Sequence, residues 1–142
     1  MSAELLSAIV EVSVRFSETD PMGIVWHGNY VKYLEDGREA FGEKYGFNYM
    51  DVYQQGLYAP VVKMDFNFKK PLMYSEKAIV ETTYIDSPAA KIQYTYKIFK
   101  KSNNELLTTA STTQVFVNDS GTLILTTPPS FMEWKKKWGI VS

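Results

Sequence analysis

The stretch that decides the fold is IVEVSVRFSETDPMGIVWHGNYVKYLEDGREAFGEKYG, residues 9–46, where a strand pattern gives way to a helix pattern. Apolar and polar side chains alternate over residues 9–16, which predicts a half-buried strand. Its predicted inner face carries Val10, Val12, Val14 and Phe16. From Asn29 to Tyr45 apolar residues recur at helical spacing and predict a helix with one buried stripe. The residues of that stripe are Tyr30, Tyr33, Leu34, Gly37, Ala40, Phe41 and Tyr45.

The predicted helix has recognisable ends and one unusual interior residue. Asn29 is expected to cap its start, and Gly46 follows the last turn as a C-terminal cap should. Gly37 destabilises a helix interior by about 1 kcal/mol relative to Ala. Because Gly37 lies on the buried stripe, we expect the helix to approach a sheet closely at this point.

The rest of the chain supplies that sheet. Alternating segments follow at 62–68, 77–85, 91–99 and 106–117, with a short one at 122–125. The turn sequences DSPAA, KSNNE and NDSGT separate or follow these strands, and Pro128–Pro129 opens a possible terminal helix at 130–138. One strand, one long helix and then consecutive strands predict a single α+β domain over residues 1–142. We expect an antiparallel sheet of five to six strands.

The strand at 106–117 is long and yet rich in Thr and Ser. A protein that continues its sheet across subunits would account for this composition. A solvated outer face of the sheet would account for it equally well.

Composition excludes several classes of function. Fifteen basic and sixteen acidic residues provide no general field for nucleic acid or for an anionic membrane. The absence of Cys rules out disulfides, a thiol nucleophile and a cysteine-rich zinc site, and a single His makes any metal site a poor prospect. The N-terminal stretch MSAELLSAIVEVSV has no signal-peptide pattern, and no segment is apolar enough to span a membrane. We therefore expect a cytoplasmic protein without cofactor, metal, nucleic-acid or membrane partner.

The connection between the first strand and the helix contains the residues with chemical potential. Asp20 alone is usually a turn former or a cap. However, Gly23 and Gly28 allow backbone to approach a ligand, and a helix start exposes unpaired N–H groups. A carboxylate beside such donors is sufficient for acyl transfer, since the donors stabilise an oxyanion while the carboxylate activates water or attacks directly.

Other candidates are weaker on sequence grounds. His27 is more often a structural or helix-start residue than a catalyst, and no serine has the context of a catalytic triad. Glu35 and Glu39 are expected to form solvated ion pairs with Lys32 and Arg38 on the helix. Two basic positions, Lys91 and the pair Lys69–Lys70, are candidates for contact with a phosphorylated carrier. Four aromatic residues could line an acyl pocket and equally well belong to the core or to an interface, namely Tyr49, Tyr53, Tyr58 and Phe66.

The segment VRFSETDPMGIVWHGNYVKYLEDGREAF, residues 14–41, resembles the signature of the 4-hydroxybenzoyl-CoA thioesterase-like family of hotdog-fold acyl-CoA thioesterases. The matching positions are Phe16, Glu18, Asp20, Gly23, Ile24, Val25, Trp26, His27, Asn29, Tyr30 and Tyr33. Looser matches at 66–84 and 110–131 extend the resemblance over nearly the whole chain. Glu18 replaces a more common Asp, and only Lys91 is basic near DSPAAK, where the hydroxybenzoyl-specific member carries a basic cluster.

The resemblance implies a hotdog fold, in which a curved antiparallel sheet wraps around the long helix, and a homodimer or a homotetramer that is a dimer of dimers. It also implies an active site at the subunit interface. Asp20 falls on the catalytic aspartate as general base or nucleophile, and His27 on the position whose backbone N–H polarises the carbonyl. The expected substrate contacts are Gly23, Trp26, Gly28, Tyr30 and Lys91. A related subgroup uses a glutamate of the central helix, which keeps Glu35 and Glu39 as alternatives.

The function predicted from these residues is hydrolysis of an acyl-CoA thioester to a carboxylic acid and CoA. Two alternatives remain at this point: a thioesterase acting on acyl carrier protein, and an acyl-CoA-binding hotdog protein without turnover. The sequence leaves the acyl group open among aromatic, short and long chains.

Overall fold

The computed structural model describes residues 6–47 and 49–140, in which a seven-stranded antiparallel sheet is packed against one long helix. The strands are β1 (Ser7–Ser13), β2 (Leu57–Tyr58), β3 (Val61–Phe68), β4 (Lys77–Ile85), β5 (Lys91–Lys100), β6 (Leu106–Asn118) and β7 (Leu123–Ile124). The helices are α1 (Tyr30–Tyr45), α2 (Tyr49–Gln54) and α3 (Pro129–Lys137). Residues 1–5 and 141–142, at the ends of the predicted domain, lie outside the described residues. The first five residues of the stretch MSAELLSAIVEVSV are among them.

The long strands lie in the order β1–β4–β5–β6–β3, and the short β2 and β7 pair with the last residues of β6. All pairings are antiparallel, so the predicted α+β architecture is confirmed. The sheet has one strand more than the upper predicted number. The additional strand is β2, whose two residues are too few to produce an alternating pattern.

Helix α1 packs on the sheet through the predicted stripe. Its buried residues are Tyr30, Tyr33, Leu34, Gly37 and Phe41. A Cβ placed on Gly37 would lie 2.3 Å from Thr82 Oγ1 and 3.1 Å from Val80 Cγ1, both on β4. The predicted close approach is therefore confirmed, because any side chain at this position would push the helix away from the sheet.

The first strand ends earlier than predicted, and the expected place of Phe16 on its inner face is wrong. Phe16 is 74% exposed, because the chain leaves the sheet after Val14 and forms a short 3-10 turn at Phe16–Glu18. The Glu18 carboxylate holds this turn, accepting a hydrogen bond from the Arg15 amide at 2.9 Å. This hydrogen bond within the loop takes the place of the strand pairing that would be needed if β1 continued to Phe16.

The start of α1 also differs from the prediction. Asn29 lies in a 3-10 turn at His27–Asn29 and does not cap the helix with its side chain. Its Nδ2 donates instead to the Glu18 carbonyl oxygen at 2.9 Å. The C-terminal cap is confirmed, since Gly46 adopts a left-handed conformation with φ of 70°.

The Thr-rich strand β6 lies between β5 and β3, and three of its seven polar side chains face the helix. Thr108, Thr112 and Gln114 are buried on that face. The Thr112 hydroxyl is 2.7 Å from the hydroxyl of Tyr96. Small hydroxylated side chains thus serve as core residues beneath α1, which neither interpretation of the composition had anticipated.

The terminal helix confirms the expectation at 130–138 and closes the far end of the core. The indole Nε1 atoms of Trp134 and Trp138 both donate to the Tyr45 carbonyl oxygen, at 2.9 and 2.8 Å. Lys135 is almost fully buried, and its Nζ lies 2.8 Å from Asp86 Oδ1 beyond the end of β4. Among the helices of the described residues, none is long and apolar enough to cross a membrane.

Candidate active site

The loop between β1 and α1 is held in place by two short backbone pairings. Thr19 bridges Val25 within the loop, and Ile24 bridges Met73 in the segment that follows β3. The Val25 amide donates to the Leu72 carbonyl oxygen at 2.8 Å. The loop is therefore a small antiparallel structure fixed against the rest of the sheet, rather than a free surface connection.

Asp20 begins a tight turn at the tip of this loop. The Gly23 amide donates to the Asp20 carbonyl oxygen at 2.9 Å, and the Met22 amide donates to Asp20 Oδ1 at 2.8 Å. Asp, Pro and Gly occupy the first, second and fourth positions, as is common in such turns. Asp20 is thus a turn former through one oxygen. Its other oxygen, Oδ2, makes no hydrogen bond within residues 6–47 and 49–140.

Glu18 joins this turn to the start of the helix. Its buried carboxylate oxygen Oε1 accepts hydrogen bonds from the Tyr33 hydroxyl at 2.8 Å and from the Arg15 amide. Its carbonyl oxygen accepts from the Trp26 amide at 2.9 Å. Burial raises the pKa of the Tyr33 phenol, and the hydrogen bond to Glu18 raises that pKa further, so Tyr33 stays a donor. Glu18 is one methylene longer than the Asp more common in the family signature, and its carboxylate reaches this buried partner.

The helix start presents two backbone donors. The Asn29 amide bonds the Trp26 carbonyl oxygen, but the amides of His27 and Gly28 have no acceptor in the part of the chain that the structure describes. A Cβ on Gly28 would lie 2.1 Å from the ring of Trp26, so glycine is needed for the indole to cover this turn. Two adjacent free N–H groups at a helix start are suited to binding an oxyanion.

The loop, the helix start and the end of β3 enclose a cleft of about 350 Å³. Its lining residues are Asp20, Ile24, Val25, Trp26, His27, Tyr30, Phe68, Lys69, Lys70 and Pro71. The ring of Phe68 lies 4.9 Å from that of Tyr30 and 6.5 Å from that of His27. Burial raises the pKa of Tyr30. We call this cleft the reactive cleft.

Four of the predicted site residues therefore meet on one cleft, namely Asp20, Trp26, His27 and Tyr30. Gly23 and Gly28 flank it in the backbone. Lys91 lies elsewhere: it pairs with Val115 on β6, whereas Phe68 at the cleft pairs with Thr108. These β6 positions are seven residues apart, about 23 Å along a strand. Within one chain Lys91 is far from the reactive cleft, and its predicted contact with substrate would need a second subunit.

The pair Lys69–Lys70 lies at the reactive cleft. The Lys70 ammonium is engaged in an ion pair with Glu105, which leaves Lys69 as the other cationic side chain at the cleft.

Glu35 and Glu39 do not face the reactive cleft. They line a second cleft of about 500 Å³ over the middle of α1, which we call the helix cleft. Its other lining residues are Arg38, Tyr49, Met50, Tyr53, Leu57, Tyr58, Ala59, Val61 and Gln114. The predicted ion pairs of Lys32 and Arg38 with these glutamates are absent from the described residues. Arg38 points to a phenol instead, with Nη1 donating to the Tyr96 hydroxyl oxygen at 3.1 Å.

Comparison with known proteins places these features in a family. Residues 14–135 match the model of the thioesterase-like superfamily. "Putative acyl-CoA thioesterase YneP" of Bacillus subtilis is 36% identical over 87% of this chain and 89% of its own length. The solved structure of DHNA-CoA thioesterase from Staphylococcus aureus is 34% identical, with a TM-score of 0.83 over 92% of this chain and 89% of that one. Acyl-acyl carrier protein thioesterase ATL3 of Arabidopsis thaliana is 30% identical over 78% of this chain and 58% of its own length.

The fold and these comparisons define this protein as a thioesterase of the hotdog class, which confirms the expected fold. The chain belongs to the thioesterase-like superfamily, so the family expected from residues 14–41 is confirmed as well.

Proposed function

We propose that this protein hydrolyses acyl-CoA thioesters in the reactive cleft, with Asp20 as the catalytic carboxylate. The observation that carries the proposal is the presence on one cleft of Asp20, with Oδ2 free, and of a helix start whose amides at His27 and Gly28 are free. The names of the Bacillus and Staphylococcus relatives support the CoA thioester as substrate.

The chemistry follows from these groups. The thioester carbonyl oxygen accepts hydrogen bonds from the two amides, which stabilise the negative charge that develops as the carbon is attacked. Asp20 either removes a proton from the attacking water or attacks the carbonyl carbon itself, forming an anhydride that water then hydrolyses. In both routes the C–S bond breaks, CoA leaves as the thiolate, and the acid is released. The apolar side chains of Ile24 and Val25 help to exclude bulk water, which strengthens the hydrogen bonds to the oxyanion.

The test is the release of free thiol from short, long and aryl acyl-CoAs by wild type and Asp20→Asn. Asn keeps an Oδ1 acceptor for the Met22 amide, so the turn is preserved while the base is lost. We expect a loss in kcat of roughly 10²–10⁴-fold, the usual contribution of a general base. Glu35→Gln and Glu39→Gln, at the helix cleft, test the alternative carboxylates. Turnover by Asp20→Asn near the wild-type rate would overturn the assignment of Asp20. A loss confined to Glu35→Gln or Glu39→Gln would move the chemistry to the helix.

Isotope labelling distinguishes the two roles of Asp20. In a single turnover in H₂¹⁸O, a base delivers the label to the product acid. A nucleophile leaves the label on the Asp20 carboxylate when water attacks the Asp20 carbon of the anhydride, so label on Asp20 establishes the covalent route. Mass spectrometry of the peptide that contains Asp20 reads the difference directly.

We propose further that the protein works as a homodimer, alone or paired into a tetramer, in which β3 of one subunit pairs with β3 of the other. The outer edge of β3 has no partner strand among the described residues. Apolar side chains remain open along it, with Val62 59% and Phe68 46% exposed. A long edge strand of this kind is normally covered or paired. Light scattering is expected to give a mass of two or four chains, and Val62→Glu to shift it towards the monomer.

An acyl carrier protein substrate is the second candidate. Lys69 at the reactive cleft favours it, since a carrier protein is acidic, as does the name of the Arabidopsis relative. Comparing kcat/KM for one acyl group on CoA and on acyl carrier protein decides between them. A preference for the carrier that Lys69→Ala abolishes, with turnover of the CoA ester unchanged, would establish the carrier.

A further inference from the structure

The helix cleft contains a cationic group whose hydrogen-bonding capacity is largely unused. Arg38 is half-buried on α1 and lines this cleft. A guanidinium has five N–H donors. The Tyr96 hydroxyl oxygen is the one acceptor found for them in residues 6–47 and 49–140. No carboxylate of these residues lies within ion-pair distance of Arg38, although Glu35 and Glu39 are its neighbours on the helix.

The polar groups around Arg38 are already satisfied by one another. The Tyr96 hydroxyl, which accepts from Arg38, also contacts the Thr112 hydroxyl at 2.7 Å. The Tyr49 hydroxyl donates to Gln114 Oε1 at 2.9 Å, and Gln114 Nε2 donates to a backbone oxygen at 2.7 Å. Arg38 is therefore the group of this network that has donors to spare, and a half-buried cation with spare donors favours an anionic partner.

The walls of the cleft indicate what carries that anion. Tyr53, Leu57 and Val61 provide apolar and aromatic surface, and about 500 Å³ accommodates a small ring or a short chain. Glu35 and Glu39 line the same cleft and are exposed, and their repulsion of an anion grows with its charge, so the multiply charged phosphates of a nucleotide are disfavoured more than a singly charged group. A single carboxylate on an apolar body fits better, because the planar guanidinium can bind it with two parallel hydrogen bonds.

We propose that the helix cleft holds the distal part of the acyl group and that Arg38 selects acyl groups with a second carboxylate at their far end. The inference rests on the proposed thioesterase function and names the substrate class. Arg38 acts in it as a specificity-determining residue, and the bond that breaks is still the thioester in the reactive cleft.

The two clefts meet when two subunits pair through β3. Within one chain the reactive cleft reaches Phe68 and the helix cleft reaches Val61, at opposite ends of the strand. These ends are about 23 Å apart along the strand. Antiparallel pairing of β3 with its copy, centred on the strand, sets Val61 beside the partner's Phe68, about 5 Å away. The helix cleft of one subunit then continues into the reactive cleft of the other, so Asp20 and Arg38 of one site come from different chains.

The first experiment measures selectivity with a matched pair of substrates. The thioesters 4-carboxybenzoyl-CoA and 4-carbamoylbenzoyl-CoA have nearly the same size and differ in the charge at the far end of the ring. We expect Arg38→Met to lower the ratio of their kcat/KM values by roughly 10–100-fold, as for a lost charged hydrogen bond. Arg38→Lys should keep part of the ratio, and Lys97→Met, which removes an exposed cation on β5, should leave it unchanged. An unchanged ratio in Arg38→Met would overturn the inference. So would a higher kcat/KM for 4-hydroxybenzoyl-CoA than for either of these two thioesters, if Arg38→Met abolishes that preference.

The second experiment tests whether the two residues act across subunits. Asp20→Asn and Arg38→Met chains, carrying different tags, are co-expressed and the mixed dimer is purified. If each site takes Asp20 from one chain and Arg38 from the other, one of the two sites of the mixed dimer contains both wild-type residues. We then expect about half of the wild-type rate on 4-carboxybenzoyl-CoA. If both residues came from one chain, neither site would be intact and no recovery would be seen.

The outcomes separate the inference from the function beneath it. Absence of turnover of every thioester by wild type, or turnover that does not depend on Asp20, defeats the proposed function. If turnover depends on Asp20 but the selectivity between the two thioesters does not depend on Arg38, the inference is overturned and the proposed function stands. If Arg38→Met does not fold, inhibition of wild type by free terephthalate compared with 4-carbamoylbenzoate decides, since Arg38 predicts tighter binding of the dicarboxylate.

Discussion

Replacing Gly37 by Ala tests how tightly α1 packs on the sheet. In an ordinary helix interior this change stabilises by about 1 kcal/mol. Here the new Cβ would lie 2.3 Å from Thr82 Oγ1 and 3.1 Å from Val80 Cγ1, although non-bonded atoms normally lie about 3.5–4.0 Å apart. Thr82 and Val80 are completely buried, so neither can move into solvent. Forced overpacking of this kind destabilises by about 1–3 kcal/mol. We expect Gly37→Ala to lower the free energy of unfolding by about 1 kcal/mol net.

The same contact predicts a rescue. Thr82 Oγ1 is buried without a hydrogen-bond partner in the described residues, so Thr82→Ala removes a desolvated hydroxyl along with a methyl group. These two effects nearly cancel, at about 1–2 kcal/mol each. In the double variant the methyl group introduced at position 37 fills the space that the Thr82 side chain vacates. The coupling between the two substitutions should therefore reach about 2 kcal/mol in favour of the pair.

Urea unfolding of wild type, the two single variants and the double variant measures these quantities. All four are compared at one chain concentration, because the stability of the proposed dimer would depend on concentration. The difference between Glu39→Ala and Glu39→Gly, at an exposed position of the same helix, measures the intrinsic preference for Ala. If Gly37→Ala stabilises the protein by that same difference, or if Thr82→Ala gives no rescue, the close helix–sheet contact is refuted.

Three further predictions concern single side chains. Lys135→Met should lower the free energy of unfolding in urea by about 2–3 kcal/mol, because it removes the ammonium that pairs with the half-buried Asp86 carboxylate. Adding Asp86→Leu to this variant should recover most of the loss. Gly28→Ala should displace the Trp26 ring, which its Cβ would meet at 2.1 Å, and we expect a changed tryptophan fluorescence spectrum together with a lower kcat. Burial and neighbouring carboxylates raise the pKa of Asp36, so its ionisation in the folded state opposes folding. Asp36→Asn should therefore unfold at higher urea than wild type at pH 7, and the difference should vanish as the pH falls below the ordinary aspartate pKa.

Local signals were enough for the elements that their own residues stabilise. The stripe from Tyr30 to Phe41 predicted the buried face of α1, and Gly46 predicted its end. Local signals also placed Asp20 and His27 together in the loop between β1 and α1, because this loop lies between two recognisable elements and matches a family signature. Contiguous residues that form one turn and one helix start stay together in any fold that contains both.

Where the prediction was wrong, a specific side-chain hydrogen bond had taken precedence over the periodic pattern. Phe16 continued the alternation of β1, but the Glu18 carboxylate bonded the Arg15 amide and the Tyr33 hydroxyl and turned the chain out of the sheet. Arg38 was expected in a solvated ion pair, yet its donor found the phenol of Tyr96, a residue of β5 that is 58 positions away in sequence.

The sequence by itself determined the long strands, the helices α1 and α3, their order, the family and the loop that carries Asp20, because periodicity and turn chemistry act over a few residues. Only the tertiary structure decided that Lys69–Lys70 lie at the reactive cleft and that Lys91 does not. It also decided that α2, β2 and α1 enclose a second cleft around Arg38. The physical reason is that a cleft is a property of the space between elements, which depends on strand register and helix placement and leaves no periodic trace in any one segment.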